Sequence, residues 1–179
     1  MTPTEKANEA GKLAARVVKE TFWQQAKNVA AYYPMRSELD VLPLAEAALQ
    51  SGKKLFFPVV KGNNLEWRKV PSLEPSCFTK GAFGIMEPIG EKENLKLEET
   101  LWLVPGVAFT EDCRRLGRGG GYYDRVLSEF PAEKRETVHF LGVAFACQLV
   151  SNLPTEEWDR KLDAIATFEK TIIAIDDID

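Results

Sequence analysis

The stretch NVAAYYPMRSELDVLPLAEAALQSGKKLFFPVV, residues 28–60, contains the pattern that decides the fold. Two short apolar runs, 28–34 and 53–60, are typical of buried strands. Between them, residues 42–52 have a helical pattern that stops at Gly52. A strand, a helix and a second strand in this order predict a βαβ unit, whose two strands run parallel in one sheet.

Towards the amino terminus the chain predicts a packing helix. Thr2 and Glu5 have the spacing of a capping box, and Pro3 suits the first helical position. Leu13 and Val17 form an apolar stripe on one side of this helix.

Towards the carboxyl terminus the alternation of strands and helices continues. Residues 65–70 alternate apolar and charged side chains and predict an exposed, antiparallel strand. Residues 71–98 are rich in proline and predict a long excursion, whose length favours a functional role. Further strands are predicted at 101–106, 139–145 and 163–168, with a helix over 122–130. We predict one α/β domain, a mainly parallel sheet with helices on both faces, and a ligand at the carboxyl ends of its strands.

Composition narrows the classes of function. The chain has 179 residues, 45% of them hydrophobic, and a net charge of −4 at pH 7. That charge argues against nucleic-acid binding, which needs many cations on phosphates. No run approaches the roughly 18 apolar residues of a membrane span, and the amino terminus lacks the features of a secretory signal. We expect a cytoplasmic protein that binds neither nucleic acid nor membrane.

The rare residue types argue against several kinds of site. Cys77, Cys113 and Cys147 are odd in number and never form a C-x-x-C pair, which disfavours disulfides and zinc and predicts reduced packing residues. The one histidine, His139, lies in an apolar run and is interpreted as a strand-end or core residue. Hydrolase triads that need a histidine are therefore disfavoured.

The motif RRLGRGGGYYDR, residues 114–125, is the strongest candidate for a binding site. Its glycines let the backbone approach a ligand, and the helix that follows points free N–H groups at the same place. Arg114, Arg115 and Arg118 add forked cations suited to phosphate oxygens. The motif matches neither a P-loop nor the dinucleotide fingerprint. From the residues alone, a tight turn remains an alternative, and Asp124 could either hold Mg²⁺ or only offset the helix dipole.

Four segments, in order along the chain, resemble the 5-formyltetrahydrofolate cyclo-ligase family, also called methenyltetrahydrofolate synthetases. The main one is VPGVAFTEDCRRLGRGGGYYDR at 104–125; the others are YYPMRSELDVLPL at 32–44, GAFGIMEP at 81–88 and EEWDRKLDAIAT at 156–167. The resemblance implies the family's three-layer α/β fold, akin to the sugar-phosphate isomerase and CoA-transferase class. It also implies a single domain over 1–179.

The family's reaction is implied as well. It converts 5-formyltetrahydrofolate to 5,10-methenyltetrahydrofolate with ATP and Mg²⁺, releasing ADP and phosphate. The formyl oxygen attacks the γ-phosphate, and the neighbouring ring-forming nitrogen then closes on the phosphorylated imidate with phosphate as leaving group. Such chemistry depends on positioning and on cancelling negative charge rather than on a protein nucleophile.

By resemblance, the glycine motif would bind ATP and act on its γ-phosphate. Arg118 would meet the γ-phosphate, and Arg118 and Tyr123 are the candidate catalytic residues. Asp124 would bind Mg²⁺ with Asp163 as the second ligand, and Asp159 competes with Asp163 for that role. The ATP-binding set is Arg115, Leu116, Gly117, Arg118, Gly119, Gly120, Gly121, Tyr122 and Tyr123.

The implied folate site lies partly elsewhere in the chain. Glu38 corresponds to the family's folate-contacting acid, where a carboxylate can accept hydrogen bonds from the pterin. Tyr122 or Tyr123 would face the folate while the other packs in the core, since adjacent helical residues point in different directions. Phe83 and Met86 would pack against a folate ring, with an ordinary core role as the alternative.

Two departures from the family pattern leave alternatives open. Trp158 stands where the family usually has histidine, and the family's first helix, with a Lys and an Arg that reach ATP, has no matching segment here. The main alternative is therefore a relative that binds folate or nucleotide without turnover. The second alternative is a sugar-phosphate isomerase, which would be excluded if the reaction depends on a nucleotide. We expect small-molecule partners and a monomer, although the sequence does not determine the oligomeric state.

Overall fold

The computed structural model describes residues 1–131, 135–154 and 159–175. The helices in these ranges are α1 (Pro3–Val17), α2 (Thr21–Gln25), α3 (Leu42–Gln50) and α4 (Tyr122–Glu129). The strands are β1 (Asn28–Ala30), β2 (Lys54–Lys61), β3 (Asn64–Val70), β4 (Phe78–Lys80), β5 (Met86–Pro88), β6 (Thr100–Val104), β7 (Ala108–Phe109), β8 (Arg115–Leu116), β9 (Phe140–Val143), β10 (Ala164–Ala166) and β11 (Thr171–Ile173).

The main sheet has the strand order β11-β10-β9-β6-β1-β2-β3. Strands β10, β9, β6, β1 and β2 run parallel, while β3 and β11 pair antiparallel at the two edges. After β1 the chain builds β2 and β3 on one side, and it later returns to add β6 on the other side of β1. Such a reversal opens a crevice at the carboxyl ends of β1 and β6, where ligands of open α/β sheets bind.

Successive residues of each inner strand face opposite sides of the sheet. Leu55 and Phe57 belong to the core that packs under α1, α2 and α3, whereas Phe56 belongs to the core under α4. On β6, Leu101 likewise lies in the first of these cores and Trp102 in the second, as the two-residue period of a strand requires. The sheet is thus covered on both faces, and the predicted three-layer α/β fold with a mainly parallel sheet is confirmed.

The local predictions agree with the structure at the start of α1 and just after α3. The capping box at Thr2 and Glu5 is present, with Thr2 N 2.6 Å from Glu5 Oε2 and Glu5 N 3.2 Å from Thr2 Oγ1. Gly52 follows α3 with φ +76°. The strand predicted over 28–34 is shorter, because β1 ends at Ala30 and the chain then leaves the sheet.

The middle of the long excursion forms a hairpin. Strands β4 and β5 pair antiparallel, and residues 81–85 form the tip of this hairpin. A second small antiparallel pair, β7 and β8, lies beyond the end of β6 and leads into the glycine motif. Both additions stand at the carboxyl ends of the inner strands.

The cysteines and the histidine follow the predictions in part. Cys77, Cys113 and Cys147 are free thiols, and burial raises the pKa of Cys113 to about 11. Cys147 is exposed, so its predicted packing role is wrong. His139 is buried at the start of β9, where its Nδ1 lies 3.1 Å from the Thr100 carbonyl oxygen.

No helix in the described ranges is long and apolar enough to cross a membrane.

Candidate active site

A cavity of about 390 Å³ opens at the carboxyl ends of β1 and β6. Tyr32 and Tyr33, which follow β1, and Pro105 and Gly106, which follow β6, form its floor. One wall is the β4–β5 hairpin, and the opposite wall is the glycine motif with the first turn of α4. The excursion and the arginine-glycine motif, far apart in sequence, therefore meet across one cavity.

The glycine motif needs residues without side chains. Gly119 and Gly121 have φ +87° and +68°, in the left-handed region that favours glycine. A Cβ on Gly117 would lie 2.7 Å from Arg115 Nη1, and one on Gly120 would lie 2.8 Å from the Tyr122 ring. Gly117, Gly120 and Gly121 line the cavity. The predicted ATP-binding residues Leu116, which is 40% exposed, and Gly119, whose surroundings are open, are not among the residues that line it.

Arg115 and Asp124 form an ion pair at the cavity. Arg115 Nη2 donates to Asp124 Oδ1 at 2.7 Å, and Arg115 Nη1 donates to the Pro105 carbonyl oxygen at 3.2 Å. The arginine side chain is only 6% exposed, whereas that of Asp124 is 54% exposed. Asp124 therefore keeps a solvent-facing carboxylate in the first turn of α4, beside a fixed cation.

Arg118 and Glu38 meet from opposite ends of the sequence. Arg118 Nε lies 3.5 Å from Glu38 Oε1, and Arg118 Nη2 donates to Ser37 Oγ. Glu38 Oε2 accepts the Met35 N–H at 2.9 Å. The Glu38 side chain is 7% exposed and that of Arg118 is 46% exposed. The Glu38 carboxylate is fixed by the Met35 N–H, and the half-exposed Arg118 guanidinium is held by Ser37 and by the long contact to Glu38.

Two tyrosine hydroxyls lie at the floor of the cavity. Tyr32 donates to the Leu39 carbonyl oxygen at 2.8 Å. The Tyr123 hydroxyl is buried and has no hydrogen-bond partner among the described residues. Burial, reinforced by the charge of Glu38, raises the pKa of both tyrosines. Tyr123 is therefore a neutral hydrogen-bond donor. Both Tyr122 and Tyr123 line the cavity, so neither of them has only a packing role in the core.

The hairpin wall is mainly apolar. Phe83 is 76% exposed with φ +58°, so the alternative of a core role is excluded for it. Met86 is half-buried, packs against the core and also lines the cavity. Glu87, to which the sequence analysis assigned no role, lines the cavity too, and its Oε1 accepts the Val60 N–H at 3.0 Å. Glu87 belongs to the segment GAFGIMEP, and the family resemblance of that segment was the sequence signal that could have identified it.

The assignment of Asp163 to the metal site needs correction. Asp163 directly precedes β10, so it lies at the amino end of the parallel strands, opposite the cavity. Its Oδ2 accepts the N–H groups of His139 and Phe140 at 2.9 and 2.8 Å, and its Oδ1 lies 2.9 Å from Arg135 Nη1. Burial raises its pKa despite the arginine. Asp163 therefore joins the starts of β9 and β10 and does not meet Asp124.

Other candidate residues lie away from the cavity. Asp159 is exposed and absent from the cavity lining, and Trp158 lies outside the described residues. The α1 cations Lys6 and Arg16 do not line the cavity either: Lys6 donates to the Arg36 carbonyl oxygen at 3.0 Å, and Arg16 pairs with Glu20, which precedes α2. Among the described residues, no group of three or more His, Cys, Asp or Glu side chains comes together.

Comparison with known proteins identifies the family. The 5-formyltetrahydrofolate cyclo-ligase family model matches residues 1–168. The 5-formyltetrahydrofolate cyclo-ligase of Escherichia coli K12 is 34% identical over 95% of this chain and 93% of its own length. The probable enzyme of the same name from Schizosaccharomyces pombe is 33% identical, over 89% of this chain and 84% of its own.

Solved structures give the same result. The NMR structure of Aquifex aeolicus 5,10-methenyltetrahydrofolate synthetase is 33% identical and covers 100% of this chain and 88% of its own, with a TM-score of 0.81. The structure of the Mycoplasma pneumoniae 5,10-methenyltetrahydrofolate synthetase is 22% identical, with a TM-score of 0.70. The match covers 94% of this chain and 90% of that chain, and it supports the fold. The chain therefore belongs to the 5-formyltetrahydrofolate cyclo-ligase family.

Proposed function

We propose that this protein is an ATP- and Mg²⁺-dependent enzyme that closes 5-formyltetrahydrofolate to 5,10-methenyltetrahydrofolate, releasing ADP and phosphate. The observation that carries the proposal is the division of one cavity into two chemical halves. The hairpin side presents Phe83 and Met86, and the opposite side presents Arg115, Arg118 and glycine backbone. A flat aromatic substrate and a polyphosphate fit these halves, and the reaction needs them side by side.

The glycine motif would hold the phosphates. Anions bind at a helix start because its first N–H groups have no partner within the helix. The dipole itself adds only ~0.3–1 kcal/mol, so the arginines would supply much of the affinity. Arg118 fits the γ-phosphate, because its half-exposed guanidinium lines the cavity; its hydrogen bond to Ser37 and its long contact to Glu38 would give way to the anion.

Asp124 fits a magnesium ion that accompanies the phosphates. Its carboxylate is exposed at the cavity, and Mg²⁺ in proteins is commonly held by one or two carboxylates together with substrate phosphates. When bound, the ion would neutralise phosphate charge. Arg115, which pairs with Asp124, would keep the carboxylate at the phosphate site.

The folate would lie between the hairpin and the floor. Among the described residues Glu38 Oε1 contacts Arg118 alone, at 3.5 Å, so it can accept N–H groups of the pterin. Glu38 also places the pterin, and the formyl group on it, close to Arg118. Tyr123 can donate its unpartnered hydroxyl proton in a hydrogen bond to a substrate oxygen.

The chemistry then needs no protein nucleophile. The formyl oxygen forms a bond to the γ-phosphorus as the bond to the ADP oxygen breaks. The neighbouring ring-forming nitrogen adds to the formyl carbon and loses its proton, and phosphate leaves. The residues of this site orient the two substrates, offset negative charge and exclude water, which are the means by which phosphoryl transfer is accelerated.

The test is the near-ultraviolet absorbance of methenyltetrahydrofolate after 5-formyltetrahydrofolate is added to the purified protein with MgATP. We expect an absorbance increase that requires both ATP and Mg²⁺. ADP should form in equal amount. Binding of folate and ATP without any absorbance increase would instead identify the alternative, a relative that does not catalyse the reaction.

A further inference from the structure

Arg125 occupies the side of the glycine motif that faces away from the cavity. It lies in α4, and its guanidinium lines a second, polar depression beside β3 instead of the main cavity. Its Nη2 donates to the Gly120 carbonyl oxygen at 2.7 Å, and its guanidinium carbon lies 5.2 Å from the centre of the Tyr122 ring. The motif is thus held from behind by one side chain.

This hydrogen bond sets the direction of a peptide unit. In a trans peptide the C=O and N–H groups point to opposite sides. Because Arg125 holds the Gly120 carbonyl oxygen on the far side of the loop, the N–H of Gly121 in the same peptide is turned towards the cavity. None of the N–H groups of Gly119, Gly120 and Gly121 donates a hydrogen bond to another described residue.

The conformation of Gly121 explains how the arginine fits so closely. Gly121 has φ +68°, and a Cβ there would lie 2.8 Å from Arg125 Nη1. The left-handed bend and the missing side chain both allow the guanidinium to reach back by one helical turn. Tyr122, between them in sequence, lines both the main cavity and the depression, so Arg125 also fixes the position of a cavity-lining ring.

We propose that Arg125 is a positioning residue that orients the Gly120–Gly121 peptide and the Tyr122 ring for the triphosphate, without touching the substrate itself. This inference rests on the proposed function for the identity of the ligand. It predicts that loss of Arg125 weakens ATP binding far more than folate binding, because it assigns Tyr122 to the triphosphate and leaves Tyr123, Glu38 and Phe83 as the folate contacts.

The test compares Arg125→Met and Arg125→Lys with Arg68→Met. Methionine keeps an unbranched stem without a donor, whereas lysine keeps the charge and one donor that can reach the Gly120 carbonyl oxygen. Arg68 is also a half-buried arginine, but it lies on β3 and is ion-paired with Glu66. Kd for MgATP is measured by calorimetry, and KM for ATP and for 5-formyltetrahydrofolate are measured by absorbance.

We expect Arg125→Met to raise Kd and KM for ATP at least tenfold while KM for folate changes less than twofold. Arg125→Lys should recover part of the ATP affinity, and Arg68→Met should match the wild type. An ATP affinity within twofold of wild type in Arg125→Met, or an equal rise in both KM values, would overturn the inference.

A measurement on the wild type decides the matter if Arg125→Met does not fold. In protein labelled with ¹⁵N-glycine, the Gly120 and Gly121 amide resonances should shift on addition of MgATP. Unshifted resonances at saturating MgATP would overturn the inference. Because ATP binding is measured directly, a wild-type protein that binds ATP without turnover would contradict the proposed function and leave this test intact.

Discussion

Replacement of Gly120 by alanine adds one methyl group where the glycine motif passes the Tyr122 ring. The new Cβ would lie 2.8 and 2.9 Å from two carbon atoms of that ring. Carbon atoms normally rest about 3.5–4.0 Å apart, so the ring or the loop must move by roughly 1 Å. The Gly120 φ is not in the left-handed region, so the contact and not backbone strain is what the substitution tests.

The cost falls on the phosphate site. The ring that must move is stacked under Arg125, which also holds the Gly120 carbonyl oxygen. If the shift removes one hydrogen bond to a charged phosphate, the loss is about 1.5–3 kcal/mol. Since each 1.4 kcal/mol is tenfold, MgATP should bind about 10 to 100 times more weakly. Gly120→Val, whose side chain has two further methyl groups, should bind MgATP still more weakly.

The assay is calorimetric titration of each variant with MgATP and, separately, with 5-formyltetrahydrofolate. The matched control is Gly11→Ala on α1, where a Cβ would meet nothing within 4 Å. That control should bind both ligands as the wild type does and gain up to ~1 kcal/mol in unfolding free energy, since alanine is the better helix former. A folded Gly120→Ala or Gly120→Val protein with unchanged ATP affinity would show that the loop is a plain turn.

Three further predictions concern single side chains. Asp124→Asn should lower turnover severalfold or more at limiting Mg²⁺, because the amide keeps the size and loses the charge; the unfolding free energy should fall by about 1–3 kcal/mol, because the buried Arg115 keeps a hydrogen-bond acceptor but loses its anionic partner; a magnesium titration of turnover checks the metal role, and normal turnover would remove Asp124 from the metal site. Asp163→Ala should lower the unfolding free energy by about 3 kcal/mol in urea titrations, because Arg135 is left buried without its partner, and should leave the magnesium requirement unchanged; a changed requirement would return Asp163 to the metal site. Phe83→Ala should raise KM for folate several-fold with no loss of melting temperature, because the ring is 76% exposed; an unchanged KM would mean that the hairpin tip does not contact the folate.

The sequence alone determined the features that depend on neighbouring residues. The capping box at Thr2 and the two-residue alternation through Phe56 are local, because backbone hydrogen bonding and side-chain direction repeat over a few positions. The same is true of the glycine motif before α4, whose bend needs residues that accept positive φ. The family segments were readable for the same reason, since each is a short continuous motif.

Only the tertiary structure decided which residues share the cavity. Arg118 meets Glu38 across 80 positions of sequence because β1 stands between β2 and β6, which brings the loops after β1 and β6 together. Asp163 was assigned to the metal site by resemblance, although it precedes its strand and so lies at the amino end of the parallel sheet, opposite the crevice. The expected position of a ligand at the carboxyl ends of the strands already argued against that assignment.

Exposure and long-range contacts were also decided by the assembled fold. The sequence left a core role open for Phe83, but in the folded protein the hairpin holds this side chain exposed beside the cavity. The hydrogen bond from Arg125 to Gly120 depends on the left-handed bend at Gly121, which turns the carbonyl oxygen back towards the helix. Residue type sets what a side chain can bind, and the packing of strands and helices sets which partner lies within its reach.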